Sequence, residues 1–338
     1  MIKNNNFFID NLKTVVFLGQ SNVFSKLIEI NKSLKLNTLI ITSSDQSKII
    51  DKKINYKVFD KLDNKFKYYI NKNIKVKNTI FVSLGARYIF TKDTIENLFL
   101  NNLVNFHGTR LPLDSGAGGY SWKIMREDRI DNQLVHVVDE GLDTGPILDN
   151  HLSLFPKQCQ IPVDFEVYRL NKFIEFYKNF IKQIQTGEYL ELKPQHNYLG
   201  RYNPRLYTEI DGLINWDFDS YDLFNFINAF DEPYKGASTF LNNGNFGKLY
   251  LKKAHLHGGD SSNHPYMSGI VSRHDVNWIV VSTKSKHMLL IEEVLDKKGF
   301  NIIKNIKVGD RFFTPTEELD RSKKTRRIIN SKGLKKLS

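Results

Sequence analysis

Asn105, His107 and Asp143 are the residues of this chain whose types and spacing could do chemistry together. They lie in Asn105-Phe106-His107-Gly108-Thr109-Arg110-Leu111-Pro112 and, after His136-Val137-Val138-Asp139-Glu140, in Gly141-Leu142-Asp143-Thr144-Gly145. An amide, an imidazole and a carboxylate gathered in one place suit the handing of a small acyl group to an amine. Residues two apart on a strand face the same way, so Asn105 and His107 share one face. The apolar lead-in of Leu103 and Val104 ends at Gly108, so both side chains are expected at a strand end, where ligands bind in parallel α/β sheets. Asp143 follows a second strand-like run, 134–139, and two strand ends are expected to meet over one pocket. Taken singly, a histidine at a strand end is ordinarily a satisfied structural residue, and Asp-x-x-Gly is ordinarily a turn. The spacing and the intervening Leu-Pro-glycine loop set the combination apart.

The surrounding pattern supplies the elements that must hold these residues. Apolar runs at 14–19, 38–42 and 79–83 read as buried strands. Between them lie helical spacings: one from a cap at Asn22 to about Leu34, one over 60–72 with Leu62, Phe66 and Ile70, and a short one opening at Asp93. Strands alternating with helices predict an α/β fold with a Rossmann-like, doubly wound, mostly parallel sheet. Gly19 has no G-x-x-G after it, so no dinucleotide fingerprint is read. The stretch 162–187 carries Phe165, Tyr168, Leu170, Phe173, Ile174, Tyr177 and Ile181 near helical spacing and is expected to close this domain. Short strands at 248–251, 269–271, 278–282 and 288–294 then predict a small β-rich domain.

Composition narrows the class. A 41% hydrophobic and 25% charged chain of 338 residues has room for two cores. The first residues lack the pattern of a signal peptide and no apolar run reaches membrane-span length, so a cytoplasmic enzyme is expected. The single cysteine, Cys159, excludes an internal disulfide framework and a cysteine zinc cluster, and no metal site is expected. The net charge of +12 raises nucleic acid as a partner. Lysine is spread throughout, however, and the concentrated basic run is confined to 321–336, which reads as a solvated tail; a nucleic-acid partner is not expected.

In the order Asn-x-His, Leu-Pro, glycine, His-x-Val, Asp-x-Gly, met by Asn105, His107, Leu111-Pro112, Gly116, His136, Val138, Asp143 and Gly145, the chain resembles the folate-dependent formyltransferases. That family includes the glycinamide ribonucleotide, methionyl-tRNA and nucleotide-sugar enzymes. The resemblance implies a catalytic trio of Asn105, His107 and Asp143 and 10-formyltetrahydrofolate as formyl donor. His107 and the Asn105 amide would then serve the oxyanion of a tetrahedral intermediate, where one donor is commonly worth roughly a hundred- to a thousand-fold in rate. Asp143 would keep His107 charged and oriented, and could accept the amine's proton directly or through water. A neighbouring carboxylate raises a histidine pKa, so an imidazolium near neutral pH is expected. No serine or cysteine nucleophile is required, because the amine itself attacks.

The resemblance places the folate beside Leu84, Gly85, Arg87, Tyr88 and Ile89, with Gly116, His136, Asp139 and Gly141; His136 has an equally good structural reading. It places the acceptor beside Gly118 and Tyr120. Arg110, Arg201 and Arg205 are candidate partners for a diphosphate. A further pattern, Ile214-x-Trp216, a helix, Ala229-Phe230 and Pro233-Tyr234-x-Gly236-Ala237, is similar to the segment that joins the two domains in nucleotide-sugar formyltransferases, and the β-rich domain is OB-like by the same analogy. The expected division is a catalytic domain over 1–200, a linker and helix over 201–236, and a barrel-like domain with a basic tail over 237–338, which could supply a homodimer interface. Relatives acting on tRNA carry a basic loop after the second strand; here 43–48 is short and nearly neutral, and Gly108-Thr109-Arg110-Leu111-Pro112 departs from the Ser-Leu-Leu-Pro of the purine and tRNA enzymes. Both departures point to the amine of a nucleotide-linked amino sugar, for a surface polysaccharide. The alternatives are methionyl-tRNA formylation and, in another class, a non-catalytic nucleic-acid-binding protein on the same fold.

Overall fold

Runs rich in Val, Ile, Leu and Phe pair as strands because their branched and aromatic side chains pack on a pleated surface. In the computed structural model, which describes residues 2–3, 5–116, 119–196, 200–243, 246–259, 263–330 and 333–337, the main elements follow in chain order: β1 (Thr14–Gly19), α1 (Phe24–Ser33), β2 (Asn37–Thr42), β3 (Lys57–Val58), α2 (Asn64–Asn73), β4 (Thr79–Leu84), β5 (Leu103–His107), α3 (Gly119–Met125), β6 (Ile130–Val137), β7 (Ile147–Leu154) and α4 (Pro162–Thr186). The seven strands form one sheet in the order β7-β6-β5-β4-β1-β2-β3. Five of them, β5 through β3 in that order, run parallel.

The sheet is wound on both faces. Val15, Phe17, Ile80, Val82, Val104, Phe106, Val135 and Val137 pack with Phe24 and Leu27 of α1 and with Phe173, Phe176, Tyr177, Phe180 and Ile184 of α4. On the other face Val16, Leu18, Ile41, Phe81 and Leu103 pack with Phe66 and Ile70 of α2 and with Ile95 and Leu98. The Asp63 side chain caps α2, accepting from the Lys65 and Phe66 amides at 3.0 and 3.2 Å. Two local expectations change: α1 starts after Val23 with no side-chain cap, and the helix expected at Asp93 is a single π-type turn, Thr94–Leu98.

A larger correction concerns β6. It runs antiparallel to β5, with Asn105 opposite His136 and His107 opposite Leu134. The two strands' carboxyl ends therefore lie at opposite edges and do not meet. Val137 donates to the Pro146 carbonyl at 3.0 Å, turning the chain straight back into β7, which is antiparallel in turn.

Contacts divide the chain into two units, 1–115 with 130–154 and 168–202, and 116–129 with 155–167 and 203–338. The second contains α5 (Ser220–Ala229), β8 (Ala237–Leu241), β9 (Leu249–His257), β10 (Val271–His274), β11 (Ile279–Val281), β12 (Met288–Leu295), β13 (Phe312–Phe313) and α6 (Thr316–Lys324). These six strands form an antiparallel sheet in the order β10-β11-β12-β9-β8-β13. The sheet curls until its ends join: Phe312 donates to the Gly269 carbonyl and Val271 to that of Asp310, both at 2.8 Å. Leu249, Leu251, Ile279, Val281, Leu289 and Ile291 are all fully buried. No helix among the described residues is long and apolar enough to cross a membrane.

Candidate active site

Alternation along β5 and β6 puts the polar residues on one face. Val104, Phe106, Val135 and Val137 point to the α4 side, so Asn105, His107 and His136 occupy the opposite face, in line with Leu103. Asn105 and His136 form a cross-strand pair, with the Asn105 amide nitrogen 3.1 Å from His136 Nε2. His136 Nδ1 lies 2.8 Å from the Val137 carbonyl. A carbonyl only accepts, so Nδ1 carries the hydrogen and Nε2 accepts from Asn105. This bond fixes the rotamer of the amide.

The carboxylate reaches this face from a folded-back loop, since no strand end supplies it. Asp139 Oδ1 accepts from the Gly141 amide at 3.1 Å and the Thr144 hydroxyl at 2.7 Å, closing a turn. At Gly145 a Cβ would sit 1.8 Å from the Val137 carbonyl oxygen, so only glycine allows the return. The Gln195 amide donates to the Asp143 and Gly145 carbonyls at 3.0 and 2.7 Å, clamping the loop from outside. Within it Asp143 takes the left-handed conformation, φ +58°, tolerated best by Asp, Asn and Gly. Its Oδ1 lies 3.5 Å from the Asn105 amide nitrogen, 3.7 Å from His107 Nδ1 and 3.7 Å from His136 Nε2. The trio of the sequence pattern is one cluster.

The electrostatics of this cluster correct the expected imidazolium. Burial depresses the His107 pKa, the Asp143 carboxylate opposes this, and His136 and Arg169 add to the depression, leaving it at about 4. His107 is a neutral ring near pH 7, because desolvation outweighs one carboxylate at 3.7 Å. Asp143 is itself pushed up by burial, but the two histidine rings outweigh that and hold its carboxyl below the usual range. With Nδ1 turned to the carboxylate, His107 presents Nε2, a buried atom with no hydrogen-bond partner among the described residues. The arrangement can take a proton at Nε2 and then return it, as an imidazolium steadied by Asp143.

Arg169 and Gln195 are absent from the sequence reading. The Arg169 guanidinium rests on Gly108, where a Cβ would lie 1.7 Å from its Cζ. It belongs to α4, whose aromatic spacing marks a core helix, and nothing in that pattern singles it out. Gln195 stands in an irregular segment with no motif around it.

The remaining candidates divide. Ser83 pairs with Asn105, so the loop leaving β4 starts alongside His107. In that loop Leu84 is buried, and the Gly85 carbonyl accepts from the Gln46 amide at 2.7 Å. Arg87 pairs with Asp45. The Tyr88 hydroxyl, its pKa pushed up by burial, donates to the Phe59 carbonyl at 2.8 Å. Ile89 is 81% and Leu142 84% exposed, which leaves apolar surface on both loops. Arg110 and Arg201 converge on buried Asp114, at 3.1 and 2.9 Å. Gly116, Tyr120 and Arg205 belong to the second unit, and Gly118 lies outside the described residues. Among the described residues no group of three or more His, Cys, Asp or Glu could hold a metal ion.

Residues 207–305 match the family described as the formyl transferase C-terminal domain. The methionyl-tRNA formyltransferase of Thermodesulfovibrio yellowstonii is 28% identical over 181 residues, 50% of this chain and 53% of its own length. The chain spans less than two thirds of the curated relatives it matches first. Among solved structures, the sugar 3N-formyl transferase WlaRD, in the presence of dTDP and 5-N-formyl-THF, superposes with a TM-score of 0.57 at 20% identity, covering 84% of this chain and 98% of that one. The N-formyltransferase of Helicobacter canadensis, in complex with folinic acid and dTDP-3-aminofucose, does so with a TM-score of 0.59 at 18% identity, covering 83% and 99%. These two likenesses establish a shared fold.

Proposed function

On the premise that this chain, through its C-terminal domain and its relatives, belongs to the formyltransferase family, we propose that it transfers a formyl group from 10-formyltetrahydrofolate to the amine of a nucleotide-linked amino sugar. The observation that carries the reaction is the buried cluster of Asn105, His107 and Asp143, with His107 neutral and its Nε2 unengaged. The folate supplies an activated formyl group on N10. The acceptor amine forms the new C–N bond as its proton passes to His107 Nε2. The resulting imidazolium, paired with Asp143, faces the developing oxyanion and delivers the proton to N10 as that bond breaks. The Asn105 amide keeps its bond to His136 and shares the hydrogen directed at Asp143, 3.5 Å away, with the oxyanion when the formyl group is in place.

The site suits such a donor. The Gly85 loop starts beside His107, and Ile89 and Leu142 offer apolar surface to a flat ring. For the acceptor, the two superposed structures are sugar formyltransferases and are matched over nearly their whole lengths. The loop after β2 supports the same choice: Gln46 is buried, Asp45 pairs with Arg87, and no basic extension is offered to a nucleic acid. In this reading the residues before about 200 carry the catalysis, the enzyme works in the cytoplasm, and its product serves a surface polysaccharide. The 28% identity to a methionyl-tRNA enzyme keeps tRNA formylation as the second reading.

One screen decides. Protein and 10-formyltetrahydrofolate are incubated with dTDP-, UDP- and GDP-linked amino sugars and with charged initiator tRNA, and products are weighed by mass spectrometry. One formyl group gained by a nucleotide sugar is the expected result. Gain on the tRNA alone would replace the acceptor, and gain on nothing, with no folate binding, would end the reading.

A further inference from the structure

The polar face that holds the trio does not stop at His107. Continuing the β5–β6 register by two residues brings Asn132 to the same face as His136, Asn105 and His107, next to the chain at Thr109. Asn132 is 3% exposed. Its amide nitrogen donates to the Thr109 carbonyl at 3.1 Å, which fixes the amide's orientation, since the opposite rotamer would set oxygen against oxygen. Asn132 Oδ1 is thereby left buried with no hydrogen-bond partner among the described residues, and so is the Thr109 hydroxyl. With His107 Nε2 this makes three buried polar atoms without partners along one short stretch. Buried polar groups are nearly always satisfied, so three that are not call for an explanation, and a bound polar ligand supplies one.

We infer that Asn132 and Thr109 form the subsite that recognises the hydroxyl next to the reacting amine of the acceptor, and so determine acceptor specificity; the inference rests on the reaction proposed above. Two residues along a strand span about 7 Å. An amine at His107 Nε2 and a hydroxyl one carbon away, each making a hydrogen bond of about 2.9 Å, bridge such a distance. Asn132 Oδ1 accepts from that hydroxyl, and the Thr109 hydroxyl donates to it. A site built to bond a hydroxyl strongly rejects the analogue that lacks it, because its own groups are left unpaired. A purely structural Asn132, holding only the Thr109 turn, would affect both acceptors alike.

The test compares kcat/KM for a nucleotide-linked amino sugar and for its analogue deoxygenated beside the amine. The intact protein is expected to favour the hydroxyl-bearing acceptor by about a hundredfold or more. Asn132→Leu is expected to reduce that preference to within a few fold, chiefly by losing rate on the natural acceptor, with melting temperature and folate affinity as controls. Since Asn132→Leu also removes the bond to Thr109, the near-isosteric Thr109→Val, which keeps that backbone carbonyl, provides the second variant and is expected to lower the preference too. Equal use of both acceptors by the intact protein, or undiminished preference in both variants, would overturn the inference while leaving formyl transfer standing. Failure of the intact protein to formylate any amino sugar would remove the proposed reaction itself, and this subsite with it.

Discussion

The neutrality of His107 has consequences away from catalysis. An unfolded histidine takes up its proton near pH 6.5, the folded one at about 4, so between these values the unfolded state holds more protons. Stability therefore rises with pH across this window and is lost on acidification through it. From pH 7 to 4.5 the loss from this one group is roughly 2–3 kcal/mol, at about 1.4 kcal/mol per pKa unit. Urea denaturation of the intact protein and of His107→Gln is expected to show the difference: the variant loses less stability over that range and has no turnover. Parallel pH slopes for the two proteins would mean that folding leaves the His107 pKa unshifted and that burial does not depress it. Asp143→Asn keeps the left-handed backbone that Asn tolerates but removes the charge that steadies the imidazolium. It is expected to lower kcat by about a hundred- to ten-thousand-fold, with folate affinity retained. An unchanged kcat would show that the carboxylate is not part of the proton path.

At the scale of elements, the catalytic geometry depends on the loop between β6 and β7 more than on either strand. A Cβ on Gly145 has nowhere to go but into a backbone oxygen 1.8 Å away, so Gly145→Ala must push the loop outward and carry Asp143 with it. A misplacement of about 1 Å commonly costs a hundredfold, and a fall in kcat of that order with the fold intact by circular dichroism is expected. Gln195→Ala removes both donors of the clamp and is expected to act in the same direction, less strongly, because the Asp139 turn remains. Wild-type kcat in both variants would show that the loop positions itself without them. This is also where sequence legibility ends. The alternation in β5 and β6 assigns faces correctly because it holds whichever way a strand runs, so Asn105, His107 and His136 could be put on a polar face from sequence alone. Strand direction depends on the connection, and the antiparallel course of β6 lies in no residue pattern. Arg169 and Gln195 were illegible for a related reason: each reaches the site from a segment distant in sequence, through packing that no local spacing encodes.

For the whole molecule the open matter is what a net charge of +12 is for. Part of the positive charge is matched locally: Arg110 and Arg201 converge on Asp114, Lys252 meets Glu232 at 2.6 Å, and Lys253 meets Glu293 at 2.6 Å. A protein that binds nucleic acid neutralises several phosphates at once, and its affinity then falls steeply with salt, with a log–log slope near the number of phosphates contacted. A nucleotide-sugar acceptor carries only a diphosphate. If that is the partner, kcat/KM for the acceptor measured between 50 and 200 mM salt should fall with a slope no steeper than about −2, and RNA binding over the same range should stay weak. A slope of about −5 or steeper for RNA, with affinity persisting at 200 mM salt, would make the excess charge a nucleic-acid footprint and favour the tRNA reading over the sugar one. The curled C-terminal sheet fits either outcome, since barrels of this size serve many partners and fold alone does not choose among them. The choice therefore falls to measurements on the acceptor.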